Sequence, residues 1–230
     1  MTGADWLASL TADGVELGRV STAERVAEFV RTRVMEGDLP PGTRLSEEAL
    51  RTALGVARNT LREAFRLLTR ERLLVHEHSR GVFVRTPDVA DIVDLYAARR
   101  VIEGGALNAW STAPEEKRQA VRDAVRFQQE SARAERWSDV ATGNMRFHLA
   151  ITGLAGSARL DEEVRRLLAE MRLVFHHMGD QREFYENYVQ LNRDILELAD
   201  RGAAGEAEEA LRKYFDIAEQ HLLRRMRAHG

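Results

Sequence analysis

The stretch from Leu54 to Phe65, LGVARNTLREAF, decides the fold of the N-terminal part of the chain. Thr60 is followed three residues later by Glu63, the spacing of a capping box, in which each side chain satisfies a free backbone N–H at a helix start. The pattern predicts a helix that begins near Asn59 or Thr60. Apolar residues recur at intervals of three and four, which predicts one buried stripe of Leu61, Ala64, Phe65 and Leu68.

The outward side of this helix start carries only hydrogen-bond donors, namely Arg58, Asn59, Thr60 and Arg62. Arginine can pair bidentately with guanine and asparagine with adenine, and a recognition helix enters the major groove by its N-terminal residues. The alternative is an ordinary amphipathic helix whose arginines are merely solvated. The flanking sequence has to decide between the two.

The preceding residues predict two more helices. Ser21 and Glu24 form a second capping box, and Gly37 is the expected C-terminal stop of that helix. Its predicted inner face carries Val26, Phe29, Val30 and Val34. Ser46 caps a short helix, and Gly55 makes the tight turn into the next one.

Two apolar, β-prone runs follow at 73–75 and 82–84, and the turn between them predicts a β-hairpin wing. With this wing, the run GDLPPGTRLSEEALRTALGVARNTLREAFRLLTRERLLVHEHSRGVFV resembles the winged-helix domain of the GntR family of bacterial transcription regulators. The resemblance covers residues 21–86 in the family's order and spacing. The chain departs from it at Glu48, where many members carry a basic residue.

The resemblance implies that double-stranded DNA is a partner. The residues expected to contact bases and phosphates are Arg58, Asn59, Thr60 and Arg62, with Arg80 at the wing tip and Arg44 as a further phosphate contact.

Charge is distributed unevenly along the 230-residue chain. The net charge is −3, but residues 21–86 carry 12 arginines against nine acidic residues, which leaves −6 for the rest. A small basic excess at the winged helix fits attraction to phosphate, and two copies acting together would strengthen it. There is no cysteine, no apolar run long enough to cross a bilayer and no signal-peptide pattern, so we expect a soluble cytoplasmic protein.

From residue 88 onward the pattern is helical throughout. Six helices are predicted, at 91–110, 114–135, 138–154, 159–178, 182–200 and 205–226. The expected fold is mainly α: an N-terminal winged helix-turn-helix of three helices plus a hairpin wing, followed by an all-α antiparallel bundle. The expected divisions are a mobile arm at 1–20 that carries Trp6 and Leu7, a DNA-binding domain at 21–87 and an effector-binding and dimerisation domain at 88–230.

This order of domains resembles the FadR-like branch of the family, with its helical FCD effector domain. The matching stretches are YAARRVIE at 96–103, NMRFHL at 144–149, and residues 191–196 and 211–215. In the family an Asp and three His at the aligned positions hold a divalent metal. Here those positions are Asn144, His148, Asn192 and Tyr214.

Three of the four metal ligands are therefore replaced, and asparagine is a poor ligand for zinc-like ions. We expect no cofactor and no metal, with His148 either a hydrogen-bonded core histidine or part of a polar pocket. Such a pocket, with Arg99 as charge partner, would hold a small carboxylate-bearing metabolite. The adjacent His176 and His177 are an alternative source of imidazole.

The function expected from the sequence is a ligand-responsive transcription repressor that binds a palindromic operator as a homodimer. An effector-independent architectural DNA-binding dimer is one alternative, and a helical-bundle enzyme is another. The enzyme is the weaker alternative because the chain has no glycine-rich phosphate loop after a strand, no G-x-S-x-G and no H-E-x-x-H.

Overall fold

A computed structural model describes residues 21–36, 38–175 and 181–229; the arm at 1–20, Gly37 and the histidine pair at 176 and 177 lie outside the described residues. The N-terminal elements are α1 (Thr22–Glu36), β1 (Arg44–Leu45), α2 (Glu47–Leu54), α3 (Arg58–Arg70), β2 (Leu74–Glu77) and β3 (Gly81–Val84). The later elements are α4 (Val89–Leu107), α5 (Glu115–Arg133), α6 (Trp137–Gly153), α7 (Ala158–Phe175), α8 (Gln181–Asp200) and α9 (Ala204–His229). The mainly helical class is confirmed, and none of these helices is long and apolar enough to span a bilayer.

The predicted starts of α1 and α2 are confirmed. The Glu24 backbone N–H donates to Ser21 Oγ at 3.1 Å, and the Ser21 N–H donates to Glu24 Oε2 at 2.7 Å. At α2 the Ala49 N–H donates to Ser46 Oγ at 3.3 Å. Gly55 follows with φ of +63°, a left-handed conformation that glycine adopts without strain, and the chain turns into α3.

The predicted capping box of α3 is wrong, although the buried stripe of this helix is confirmed. The helix begins at Arg58, and its N-cap is Ala57, which makes no side-chain bond. Thr60 is therefore already helical, whereas a capping residue needs an extended backbone. Glu63 instead accepts a hydrogen bond from Arg66 Nη1 at 2.8 Å, one turn further along the helix.

The prediction that Phe29 faces inward is also wrong, since its side chain is 42% exposed. The buried stripe of α1 includes Ala27, Val30 and Val34, and the small alanine shifts its centre away from Phe29. The guanidinium carbon of Arg33 lies 5.2 Å from the centroid of the Phe29 ring. Phe29 lines an open cleft of about 800 Å³ between α1, the end of α3 and α7.

The predicted hairpin is confirmed, and a third strand joins it. The sheet has the order β1-β3-β2, with both pairs antiparallel. Arg44 of β1 lies opposite Phe83, and Leu74 of β2 lies opposite Val84. A two-residue strand has no alternation to detect, so the sequence predicts only the hairpin.

All six predicted bundle helices are present, with described ends that differ from the predicted ones by three residues or fewer. Helices α5 and α6 run antiparallel, since Gln128 lies against Gly143 and Lys117 against Gly153. A Cβ at Gly143 would lie only 2.9 Å from the Cβ of Gln128, so glycine is needed for this close approach. The approach brings Gln128 beside the next residue of α6, Asn144.

Helix α7 is buried on two sides. Its Ala169 and Leu173 belong to the apolar core of the winged-helix unit, together with side chains from α1, α3 and the sheet. Met171 and Val174 of the same helix belong to the core of the bundle. The winged-helix unit therefore completes its core with residues from the C-terminal half of the chain.

An ionic contact lies beside this shared helix. Arg85 Nη2, just after β3, donates to both carboxylate oxygens of Asp91 at 2.6 and 2.7 Å, and Arg85 Nη1 donates to Glu170 Oε1 at 2.8 Å. Burial raises the pKa of Glu170 to about 6 in spite of Arg85. The domain boundary expected at 87–88 stays a prediction, and both apolar and ionic contacts cross it.

Candidate DNA interface and buried polar network

The start of α3 presents the donors expected from the sequence. Arg58, Asn59 and Arg62 are exposed, and Thr60 is half-buried. Because Ala57 supplies no side-chain cap, the backbone N–H groups of the first turn are also left to other partners. A helix N-terminus carries partial positive charge, so this end of α3 favours an anion such as a phosphate.

The arginines of this surface differ from their neighbours in their pairing. Within the described ranges, no carboxylate lies at ion-pair distance from Arg58 or Arg62. By contrast, Arg51 of α2 pairs with Glu48 at 2.6 Å, and Arg66 of α3 pairs with Glu63 at 2.8 Å. An unpaired guanidinium needs to give up no protein partner before it contacts a base or a phosphate.

The two other predicted DNA contacts lie on the sheet and the wing. Arg44 is exposed on β1, and its Nε would lie 3.5 Å from a Cβ placed on Gly81 at the start of β3. Arg80 lies in the wing turn, where it donates a short hydrogen bond to Glu77 and its guanidinium carbon sits 5.5 Å from the Phe83 ring centroid. Arg44 and Arg80 therefore lie on the same sheet and wing, and Arg80 is paired with Glu77.

The predicted effector residues meet inside the bundle, where all five are buried. Arg99 Nε of α4 donates to Glu103 Oε1 at 2.8 Å, and Glu103 Oε2 lies 2.7 Å from His148 Nδ1 on α6. The other ring nitrogen of His148, Nε2, lies 3.0 Å from the hydroxyl of Tyr214 on α9. A continuous polar chain therefore links three helices.

Asn144 extends this chain to two more helices. Its Oδ1 lies 3.1 Å from the Tyr214 hydroxyl and accepts from Asn192 Nδ2 of α8 at 2.8 Å and from Gln128 Nε2 of α5 at 3.4 Å. Asn192 Nδ2 also donates to Gln128 Oε1 at 2.9 Å. We call Arg99, Glu103, Gln128, Asn144, His148, Asn192 and Tyr214 the polar network.

The charge of the network is balanced. Burial raises the pKa of Glu103, but Arg99 and His148 outweigh burial, so the net pKa lies below its ordinary value and the group is ionised. Burial lowers the pKa of His148 against the attraction of Glu103, which favours the neutral ring. Neutral His148 donates from Nδ1 to Glu103, so the single hydroxyl proton of Tyr214 can turn to His148 Nε2 or to Asn144 Oδ1.

These residues do not fit a divalent metal. Donors converge on Asn144 Oδ1, so hydrogen bonds occupy the oxygen that a metal would need. Among the residues that the structure describes, no three His, Asp or Glu side chains are grouped as metal ligands. The asparagine pair and the tyrosine add no charged ligand to the one imidazole, and both oxygens of the single carboxylate, Glu103, are bonded to Arg99 and His148.

Two members of the network are absent from the residues expected from the sequence. Glu103 stands four residues after Arg99, the spacing of a helical ion pair, so the sequence does contain a signal for it. Gln128 has no such signal, because only the close packing at Gly143 brings it to Asn144. At the two ends of the network, Arg99 Nη2 and Asn192 Oδ1 are buried without a hydrogen-bond partner among the described residues.

Removing the central carboxylate should be costly. We expect Glu103→Ala to lower the free energy of unfolding by about 3–5 kcal/mol, because it leaves the buried Arg99 without its counter-ion. Urea denaturation followed by circular dichroism measures the loss. The control is Glu209→Ala, which removes the exposed pair with Arg212 and should leave the midpoint unchanged. Equal stability of the two variants would show that the ion pair is not needed.

Comparisons with known proteins agree with this arrangement. The model of the family described as bacterial regulatory proteins, gntR family, matches residues 22–84, and the model of the FCD domain matches residues 94–216. A solved chain from Rhodococcus sp. RHA1, assigned to the GntR transcriptional regulators, is 38% identical with a TM-score of 0.81, and the match covers 89% of this chain and 98% of that one.

Curated relatives match in the same way. The Nta operon transcriptional regulator of Aminobacter aminovorans is 26% identical over 183 residues, which cover 76% of this chain and 84% of that protein. The gluconate operon transcriptional repressor of Bacillus licheniformis is 34% identical over 87 residues, 38% of this chain and 35% of that protein. These relatives are transcription regulators and not enzymes. The alternative function of a helical-bundle enzyme is therefore excluded. The chain belongs to the GntR family of bacterial regulators, with an FCD domain as its helical bundle, and is a DNA-binding transcription regulator.

Proposed function

We propose that this regulator is a repressor that binds a palindromic operator as a homodimer and is released by a small metabolite held in the bundle. The observation that carries the proposal is the pair of exposed arginines at the start of α3 that have no ion-pair partner in the described part of the chain, on a unit whose core is completed by the helical bundle. The family match and the naming of relatives as repressors support it.

The DNA contacts divide by chemistry. Arg58, Asn59 and Arg62 lie at the helix start and are proposed to contact base edges, with Thr60 bonding a phosphate or contacting a thymine methyl. Arg44 and Arg80 lie on the sheet and wing and are proposed to contact the backbone, which positions the protein without selecting a sequence.

Substitutions on α3 test these roles. We expect Arg58→Ala and Arg62→Ala each to weaken operator binding by ~1–3 kcal/mol and to relax selectivity at one position of each half-site. Arg44→Ala should weaken binding to all sequences alike. The operator is first recovered from genomic fragments that bind the purified protein, and affinities are then measured by fluorescence anisotropy.

Arg66→Ala is the matched control, because Arg66 lies on the same helix but pairs with Glu63. It should leave affinity close to that of the unmodified protein. If Arg58→Ala and Arg62→Ala behave like this control, the assignment of α3 as the recognition helix is wrong.

The proposed dimer needs a self-complementary apolar surface. Helix α4 presents Val93, Ala97 and Val101 at intervals of four residues on its solvent side, and the two valines are 44% and 77% exposed. We propose that this stripe packs against its copy in the second subunit. Two winged helices held on one axis would then add their DNA contacts.

Light scattering tests the dimer. The unmodified protein should have about twice the 26.0 kDa mass of the chain, and Val101→Asp should shift it towards the monomer by placing two charges in the interface. Ala120→Asp, an equal change at an exposed position of α5, is the control and should stay dimeric. A monomeric unmodified protein, with and without DNA, contradicts the proposal.

The effector is proposed to bind at the polar network. Arg99 Nη2 offers a free donor of a charged group, which supports the carboxylate expected from the sequence, and Asn192 Oδ1 offers an acceptor. The balanced pair of Arg99 and Glu103 limits the attraction for an anion. The other side chains of the network form hydrogen bonds with one another and leave few groups for a ligand. This observation favours one alternative, an effector-independent dimer, in which no metabolite changes operator binding.

The response is proposed to be independent of metal. We expect exhaustive chelation to leave operator affinity and thermal stability unchanged, and elemental analysis to find well under one metal per chain, since the network lacks suitable ligands. The triple variant Asn144→Asp, Asn192→His, Tyr214→His restores the family's ligand set and serves as the positive control, because it should retain zinc.

Stoichiometric zinc or nickel in the unmodified protein, whose removal abolishes operator binding, would overturn the metal-free proposal. His176 and His177 would then be the first residues to substitute.

A further inference from the structure

A small apolar cluster lies between the polar network and the DNA-binding unit. Its buried members are Met145 of α6 and Val164 and Leu168 of α7, and half-buried side chains pack against them from α1 and α4, namely Met35 and Ile102. We call these five residues the seam. Its three buried members belong to neither main core, but Met35 packs against the winged-helix core as well, and Leu168 is followed directly by Ala169 of that core.

On the bundle side, two residues of the seam are direct sequence neighbours of residues of the polar network. Met145 follows Asn144 on α6, and Ile102 precedes Glu103 on α4. Successive residues on a helix point about 100° apart, so each helix presents one side chain to the network and its neighbour to the seam. A rotation or shift of α6 that changes the bonds of Asn144 must also move Met145.

On the other side, the seam adjoins the winged helix. Met35 contacts the seam, and the preceding residue, Val34, is buried in the winged-helix core. Close-packed interiors are not easily compressed, so a displaced Met145 moves its neighbours in the cluster, among them Leu168 and Met35. Both of these residues are attached to elements that hold α3 in place.

The surroundings of α7 leave room for such a displacement. Open clefts of about 800 Å³ and about 510 Å³ lie between this helix and the winged-helix unit, and residues of α7 line both. Glu71 at the end of α3 pairs with Arg31 at 2.8 Å and lines both clefts. Two open clefts therefore flank the contact between α7 and the winged-helix unit, and side chains on both sides of this contact have space to move.

We infer that Met35, Met145 and Leu168 are positioning residues that transmit the state of the polar network to the recognition helix. This inference rests on the proposed function, since it specifies how the network regulates operator binding. A ligand at the network shifts the regulator between two arrangements only by binding one of them more tightly, and in this inference the two arrangements differ in the packing of the seam.

A mutant cycle tests the inference without a known ligand. Tyr214→Phe perturbs the network, because it removes the hydroxyl that lies 3.1 Å from Asn144 Oδ1 and 3.0 Å from His148 Nε2. When Tyr214→Phe is the only substitution, we expect it to change operator affinity by roughly fivefold or more and to alter amide exchange in α1. In a protein that already carries Leu168→Ala, Tyr214→Phe should change operator affinity by less than about twofold, because the packing between the network and the winged helix is lost.

Leu154→Ala is the matched control background, since Leu154 and Leu168 are equally buried at 3% and only Leu168 belongs to the seam. In the Leu154→Ala background, Tyr214→Phe should keep its full effect on operator affinity. If Leu168→Ala acted only by destabilising the protein, Leu154→Ala would reduce that effect as well. If Leu168→Ala does not fold, Met35→Ala replaces it, because Met35 is only half-buried.

The inference is overturned if Tyr214→Phe changes operator affinity equally in all backgrounds. It is also overturned if Tyr214→Phe alone leaves both operator affinity and amide exchange in α1 unchanged. Failure of the proposed function has a different signature, because the unmodified protein would then show no sequence-selective binding that depends on Arg58 or Arg62.

Discussion

The burial of helix α7 on two opposite sides is the constraint on which the rest of the structure depends. Ala169 and Leu173 fill the core of the winged helix, while Met171 and Val174 fill the core of the bundle. Neither unit can bury its apolar surface fully without this helix, so their relative placement is set by packing and not by a flexible linker. A regulator whose DNA-binding unit shares a core with its sensing unit can transmit a change in packing directly.

The polar network brings together the four positions at which the sequence resemblance places metal ligands. Hydrogen bonds to Asn144 Oδ1 join the helices at this point. One ionised pair, Arg99 with Glu103, remains in this buried layer. Buried polar groups are stabilising only when they are paired, so the side chains at these four positions have to be considered together.

The errors of the sequence predictions have identifiable causes. Thr60 and Glu63 have the spacing of a capping box, but the turn at Gly55 starts α3 earlier. Phe29 has the spacing of a core residue, but the small Ala27 occupies the buried stripe instead. In both cases the spacing of residue types was compatible with more than one arrangement, and the packing of the folded chain selected one of them.

The sequence by itself determined the order of helices, the hairpin wing, the buried stripe of α3 and the exposed donors at its start, because helical and strand periodicity and caps are local properties. It also contains the side chains that stand where the resemblance places metal ligands. Only the tertiary structure decided that Gln128 joins these side chains, that Glu103 lies against His148 and that α7 completes the winged-helix core. These contacts join residues far apart in the chain or depend on which face of a helix a neighbour covers, and close packing, not spacing, selects them.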